Sequence, residues 1–113
     1  LLGEQIVPIT VDGVSATNPK AVPGAVIEYC IAVSNAATAG GTATGITVTD
    51  NISGITDVTY VASSAKVDGS YTGGATCTPG ATNGSEAAGV VSGTLSDIAP
   101  GETRTLTFRV TID

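Results

Sequence analysis

Residues 23–35 read PGAVIEYCIAVSN. Ala25, Ile27, Tyr29, Ile31 and Val33 alternate with Val26, Glu28, Cys30, Ala32 and Ser34. A period of two places one set on each face of a strand, and the more apolar set marks the face turned to a core. Pro23-Gly24 ahead of it is a turn signal, because proline fixes φ and glycine accepts backbone conformations that other residues avoid. The end of the chain repeats the plan. Pro100-Gly101 precedes a run in which Arg104, Leu106, Phe108, Val110 and Ile112 alternate with Thr103, Thr105, Thr107, Arg109 and Thr111. Laid over the first stretch, Tyr29 corresponds to Leu106, Ile31 to Phe108 and Val33 to Val110. Two long strands, each opened by Pro-Gly, are expected to form the centre of a β-sandwich.

Composition agrees with this and narrows the function. The chain has 113 residues, the length of one domain, and it can bury a core without a metal or several disulfides. Val, Ile and Thr are abundant, and little helix is expected. Ten carboxylates face four basic residues, and histidine is absent, for a net charge of −6. Nucleic-acid binding needs clustered Lys and Arg to displace counterions, so this balance argues against it. Without histidine the chain lacks the usual general base and the commonest metal ligand. No enzyme activity, cofactor or metal is expected. The longest apolar runs fall far short of the ~20 residues of a membrane-spanning helix. The first residue is leucine, as expected if a signal segment was removed or a domain excised.

Cys30 and Cys77 are too widely spaced for a CxxC motif, and two thiolates without histidine make a poor zinc site. A disulfide, and with it an extracytoplasmic setting, is one reading; two unpaired cysteines are the other, since spacing alone never proves pairing.

In chain order, residues 1–11 read LLGEQIVPITV, with Ile6, Pro8 and Thr10 alternating with Val7, Ile9 and Val11. Proline removes a ladder donor, which makes this an edge strand. It either opens the chain's own sandwich, with Leu1 and Leu2 as linker remnants, or leaves its body to complete a neighbour's sheet. Asp12-Gly13 is a turn, residues 14–22 an irregular edge strand, and residues 35–45 a polar loop lacking the GxxxxGK[ST] phosphate cradle. Ile46–Ile52 and Val58–Val67 read as strands, the second bent near Ser63-Ser64. Lys66–Tyr71 reads as a turn around Asp68-Gly69, Gly73–Ala88 as a long loop holding Cys77, and Val90–Leu95 as a short strand. A Cys30–Cys77 bridge would anchor that loop across the outer face of the sheet rather than through the core. The expected fold is all-β, an immunoglobulin-like β-sandwich of about seven strands over residues 14–113. Residues 1–13 form an N-terminal edge or donor strand.

Three phrases together resemble the DUF11 repeat domain: PKAVPGAVIEYCIAVSN, ATGITVTDNI and SGTLSDIAPGETRTLTFRVTI. The matching residues are Pro23-Gly24, Tyr29, Ile31, Val33, Asn35, Val48, Thr49, Asp50, Leu95, Ile98, Pro100, Gly101 and Glu102, over roughly residues 18–113. Cys30, the Cys77 loop and residues 1–13 depart from the pattern. The resemblance implies an Ig-like domain of bacterial and archaeal cell-surface proteins, often in tandem, with no catalytic residues. Asn35 and Asp50 would then serve the fold by hydrogen bonding to turn backbone.

Other candidate sites are weaker. Asp50, Asp57, Asp68 and Asp97 offer calcium ligands, but their spacing matches no DxDxDG loop, and solvated turn carboxylates are the plainer reading. Glu28 is expected to pair with Lys20, Lys66 or Arg109. A glycosidase carboxylate pair would lack its usual aromatic platform, with no Trp and three Tyr. Asn51-Ile52-Ser53 and Asn83-Gly84-Ser85 fit the N-glycosylation sequon. A Lys–Asn isopeptide bond through Lys20 or Lys66 is conceivable, and no residue pattern selects it.

The leading expectation is a secreted, pilus-like structural subunit at the cell surface, its partners identical copies with attached glycan. Leu1, Leu2, Ile6, Val7, Ile9 and Val11 would carry the donor-strand interaction. A single spacer repeat of a larger adhesin or cell-wall protein is the alternative. A third is a binding module built on the 36–44 and 73–88 loops.

Overall fold

The computed structural model describes residues 2–11, 23–73 and 76–113, the first of these by its backbone. Leu1, Asp12-Gly13 and the expected strand over 14–22, with Lys20, lie outside the described residues. The described residues form ten strands: β1 (Leu2–Val11), β2 (Val26–Asn35), β3 (Thr47–Asn51), β4 (Val58–Tyr60), β5 (Lys66–Gly73), β6 (Thr76–Thr78), β7 (Thr82–Asn83), β8 (Ser85–Ala87), β9 (Val90–Thr94) and β10 (Thr103–Ile112). They make an all-β domain of two facing sheets. The larger runs β1-β2-β10-β5-β6, with β4 also on β10 and β7 on β5, and curls into a half-barrel; the smaller runs β3-β9-β8.

The two Pro-Gly strands are neighbours. β2 and β10 pair antiparallel, with Ile31 opposite Leu106 and Tyr29 opposite Phe108. The Tyr29 and Phe108 rings stack with centroids 5.2 Å apart. The turn ahead of β10 has the sequence-encoded geometry. Gly101 sits at φ 86°, and Glu102 N–H donates to Ala99 carbonyl at 2.9 Å, as a type II turn with Pro100 first requires. Ile31, Val33, Val67, Leu106, Phe108 and Val110 of the large sheet pack on Val48, Val91, Leu95 and Ile98. The sheets meet so closely at Gly93 that a Cβ there would overlap Val67 Cγ1 and lie 3.2 Å from Leu106 Cδ1.

The other face of β2 and β10 is also covered. Cys30, Ala32, Thr105 and Thr107 are buried there, and β5 and β6 fold over them, tied by the Cys30–Cys77 disulfide. Gly69 is at the closure, because a Cβ on it would come 2.6 Å from Thr105 Oγ1 and overlap Thr78 carbonyl oxygen. The sheet is thus sandwiched on one face by β3-β9-β8 and on the other by its own curled end.

Three sequence expectations change. Lys66–Tyr71 is no turn: it lies within β5, and Asp68-Gly69 forms a bulge against Thr105/Leu106, with Asp68 at φ 62°. The 73–88 stretch is not one loop. Its described residues form β6, β7 and β8, which lifts the number of strands from about seven to ten. Val58–Val67 is cut short at Tyr60, because residues 61–65 leave the ladder, Ser63 at φ 61°. Ser64 Oγ fills the gap by accepting Arg109 N–H at 2.9 Å.

Candidate functional site

The ten residues of β1 pair antiparallel with all ten of β2, from Leu2 opposite Asn35 to Val11 opposite Val26. β1 stands at the end of the strand order, the place its Pro8 predicts, and β2 is its only ladder partner among the described residues. Of the expected donor residues, Leu2 and Ile6 stand opposite Asn35 and Ile31, positions on the face of β2 turned to the inter-sheet core. Val7, Ile9 and Val11 stand opposite Cys30, Glu28 and Val26, positions on the disulfide side. The five described donor residues therefore do not share one register class, and Leu1 lies outside the described residues. Removing β1 would leave β2, a strand central to the core, with a ten-residue open edge.

The disulfide read from the sequence forms. Cys30 is fully buried, and its Cα lies 6.5 Å from that of Cys77. The expectation that it clips a chain segment across the outer sheet face is met. The segment brings Pro79 beside Glu28, Val61, Ala62, Ser64, Lys66 and Arg109 around a shallow groove. Within it Arg109 Nε donates to Glu28 Oε2 at 2.8 Å, so the expected partner of Glu28 is Arg109. Glu28 is buried while Arg109 is half-exposed. The pair satisfies a carboxylate that the covering strands have largely taken out of water.

Both loops considered for ligand binding are pinned. Asn35 is buried, and its Nδ2 donates to Gly41 carbonyl at 2.8 Å and to Ile98 carbonyl at 2.9 Å. Ala43 and Ile98 add a two-way backbone bridge. This is the turn-bonding role expected of Asn35. Asp50 differs: it pairs with Val91 in β3 and makes no side-chain hydrogen bond among the described residues. Asp68 instead does such work, accepting Ser96 N–H at 2.9 Å and Ser96 Oγ–H at 2.6 Å. Asp50, Asp57, Asp68 and Asp97 do not converge: among the described residues no three acidic or cysteine side chains gather for a metal. No helix of the described residues is long and apolar enough to cross a membrane.

The two sequons sit in unlike settings. Asn51, the last residue of β3, and Ser53 just past it are exposed, and Asn51 Oδ1 accepts both Ser53 N–H at 3.0 Å and Ser53 Oγ–H at 2.6 Å. Asn83 lies in β7 opposite Lys66, whose Nζ donates to Asn83 Oδ1. Ser85 Oγ is turned to Ser92 Oγ, 3.0 Å away. Lys66 thus makes a hydrogen bond with an exposed Asn, the arrangement nearest to the isopeptide pair considered above.

The structurally decisive residues that sequence reasoning passed over are Gly69 and Gly93. Their signal was present, since a glycine inside a strand marks a bulge or a close approach of another chain segment. No family model, no curated protein and no solved structure matches this chain.

Proposed function

We propose that this chain is the structural subunit of an extracellular filament or surface layer, with an Ig-like body and polymerisation through its N-terminal strand. One observation carries the reading: β1 occupies the full edge of β2 and, among the described residues, pairs with nothing else. The same ladder can therefore be made by the β1 of a second copy, since main-chain bonds are indifferent to which chain supplies the strand. The disulfide supports passage into an oxidising compartment. The DUF11-like phrases support a surface protein that carries no catalytic site. The pairing of β1 with its own β2 favours the second reading, a spacer repeat of a larger surface adhesin, in which the strand simply completes its own sheet.

A cross-link across the ladder separates the two. Gly3 and Ser34 are paired positions, so the Gly3→Cys/Ser34→Cys variant is oxidised and run on a non-reducing gel. Negative-stain microscopy then compares the full chain with a deletion of residues 1–13. A covalent ladder of oligomers, with filaments only from the full chain, is expected. Cross-linked monomer from both a dilute and a concentrated sample, with no filaments, would leave the spacer.

A further inference from the structure

We infer that Asn51 is an N-glycan attachment site in the folded protein and that Asn83, with the same sequon, is not. This requires only passage through an extracytoplasmic compartment and does not depend on strand donation.

The distinction is geometric. An amide nitrogen is a weak nucleophile because its lone pair is delocalised onto the carbonyl oxygen. Hydrogen bonds to that oxygen stabilise the imidate form, in which Nδ2 has lost a proton and the oxygen carries the charge. At Asn51 two donors already converge on Oδ1, the Ser53 N–H and the Ser53 hydroxyl. Its Nδ2 has no hydrogen-bond partner among the described residues. Asn51 and Ser53 both face solvent.

This arrangement is anchored from below. Ile52 is buried, and its N–H donates to Gly89 carbonyl at 2.8 Å. Gly89 lies in the turn between β8 and β9 at φ 82°, where a Cβ would come 2.7 Å from Ser53 Cβ. The sequon therefore rests on the tip of a neighbouring hairpin, which fixes Ser53 in place. At Asn83 the same three residue types are spread along a paired stretch. Gly84 N–H donates to Ala65 carbonyl at 2.9 Å, and the Ser85 hydroxyl meets Ser92 rather than Asn83. The Asn83 oxygen also accepts a hydrogen bond, from the Lys66 ammonium, so what separates the two sites is the sequon hydroxyl, which meets its own Asn51 in one and Ser92 in the other.

The co-substrate is a glycan carried on a lipid phosphate or pyrophosphate. A bond forms between Asn51 Nδ2 and C1 of the first sugar, and the bond from C1 to the phosphate oxygen breaks. The lipid phosphate leaves with that electron pair, and the Nδ2 proton passes to a base of the transferase. No electrons are gained or lost. β3 belongs to the small sheet and β1 to the large one, so a glycan on Asn51 leaves the β1–β2 ladder free.

The test uses the folded, oxidised full chain, a purified single-subunit oligosaccharyltransferase and a lipid-linked glycan, with a synthetic Asn-Ile-Ser peptide confirming turnover. Intact mass counts the glycans. Enzymatic release in heavy-oxygen water, followed by peptide mapping, places them. The reduced, unfolded chain is run in parallel. The folded chain is expected to carry one glycan at Asn51, with occupancy at least tenfold above that of Asn83, while the unfolded chain takes glycan at both. Gly89→Ala keeps the sequon but pushes on Ser53, and is expected to lower Asn51 occupancy several-fold in a chain whose circular dichroism and disulfide are unchanged. Equal occupancy of the two asparagines in the folded chain would overturn the inference. So would an unmodified Asn51 beside a modified peptide. If Gly89→Ala disturbs the fold, Ser92→Ala replaces it: both sequons stay intact, the Ser85 hydroxyl loses its partner, Asn83 occupancy is expected to rise, and unchanged occupancy in that variant has the same meaning.

Discussion

Removing the Cys30–Cys77 bridge is expected to lower stability by about 4 kcal/mol. The bridge spans a sequence separation of 47. Loop-closure entropy for a segment of that size is roughly 13–14 cal/mol/K, which at 25 °C gives the ~4 kcal/mol. The structure also says what the bridge holds: β6 against the outer face of β2, over Thr105 and Thr107. Urea unfolding of the oxidised chain is compared with the same protein reduced while unfolded and refolded with reductant present. Reduction leaves both sulfur atoms in place, so no cavity contributes. With a slope near 1.5 kcal/mol/M the midpoint should fall by roughly 2–3 M. Cys30→Ala/Cys77→Ala should lose slightly more, since Cys30 is fully buried and its removal leaves a void. A fall under about 0.5 M would refute the reasoning. The curled end of the sheet would then be held by its β-ladder alone, and the covalent link would be incidental to the fold.

Gly93→Ala is expected to destabilise by at least ~2 kcal/mol, because its Cβ overlaps Val67 in a closed core. Adding Val67→Ala should restore part of the loss, a coupling that a double-mutant cycle in urea reads directly. Thr107→Val should be neutral or stabilising by up to about 1 kcal/mol, since the Thr107 hydroxyl is buried without a partner among the described residues and valine has the same shape. Asn35→Ala should cost about 2–3 kcal/mol, as it strips the donors from Gly41 and Ile98 carbonyls, and hydrogen exchange should quicken first at Ala43 and Ile98.

The parts of the fold that were legible share one property: their signal is local. The alternation in β2 and β10 reports two faces whatever lies against them, and Pro23-Gly24 and Pro100-Gly101 fix turns through their own dihedrals. Glu28 could be placed on the outer face of β2 by parity, and a cation opposite it was then the natural partner. What was missed depends on contacts distant in sequence. The 73–88 stretch lacks periodicity because β6, β7 and β8 are two or three residues long, shorter than any pattern that could announce a strand. Asp68 sits at φ 62° inside β5 because its side chain is committed to Ser96; read locally, Asp-Gly is a turn. The Ala88-Gly89 turn, both residues at positive φ, carries only half of the usual Asn-Gly signal. The sequons were equally visible in the sequence. Only the partners of Ser53 and Ser85 tell them apart.

If β1 is exchanged between copies, the exchange must compete with the pairing each chain already makes. The two ladders contain the same bonds in the same register, so their difference in free energy lies in how the strand is delivered. Within one chain β1 reaches β2 through residues 12–25, since Val11 is paired with Val26. A tether of this length presents a strand at an effective concentration on the order of millimolar. Below that concentration the closed monomer is favoured unless body-to-body contacts in the polymer contribute as well. Opening is also slow, because all ten pairs of the ladder must be released before a neighbour's strand can enter. Assembly should therefore show a lag at micromolar concentration, and preformed fragments, which expose an unfilled β2 at one end, should abolish it. Light scattering with and without sonicated seeds measures this. Seeds that leave the lag unchanged, in a chain that nevertheless forms filaments, would mean that subunits join through the faces of their sheets and that β1 never leaves home.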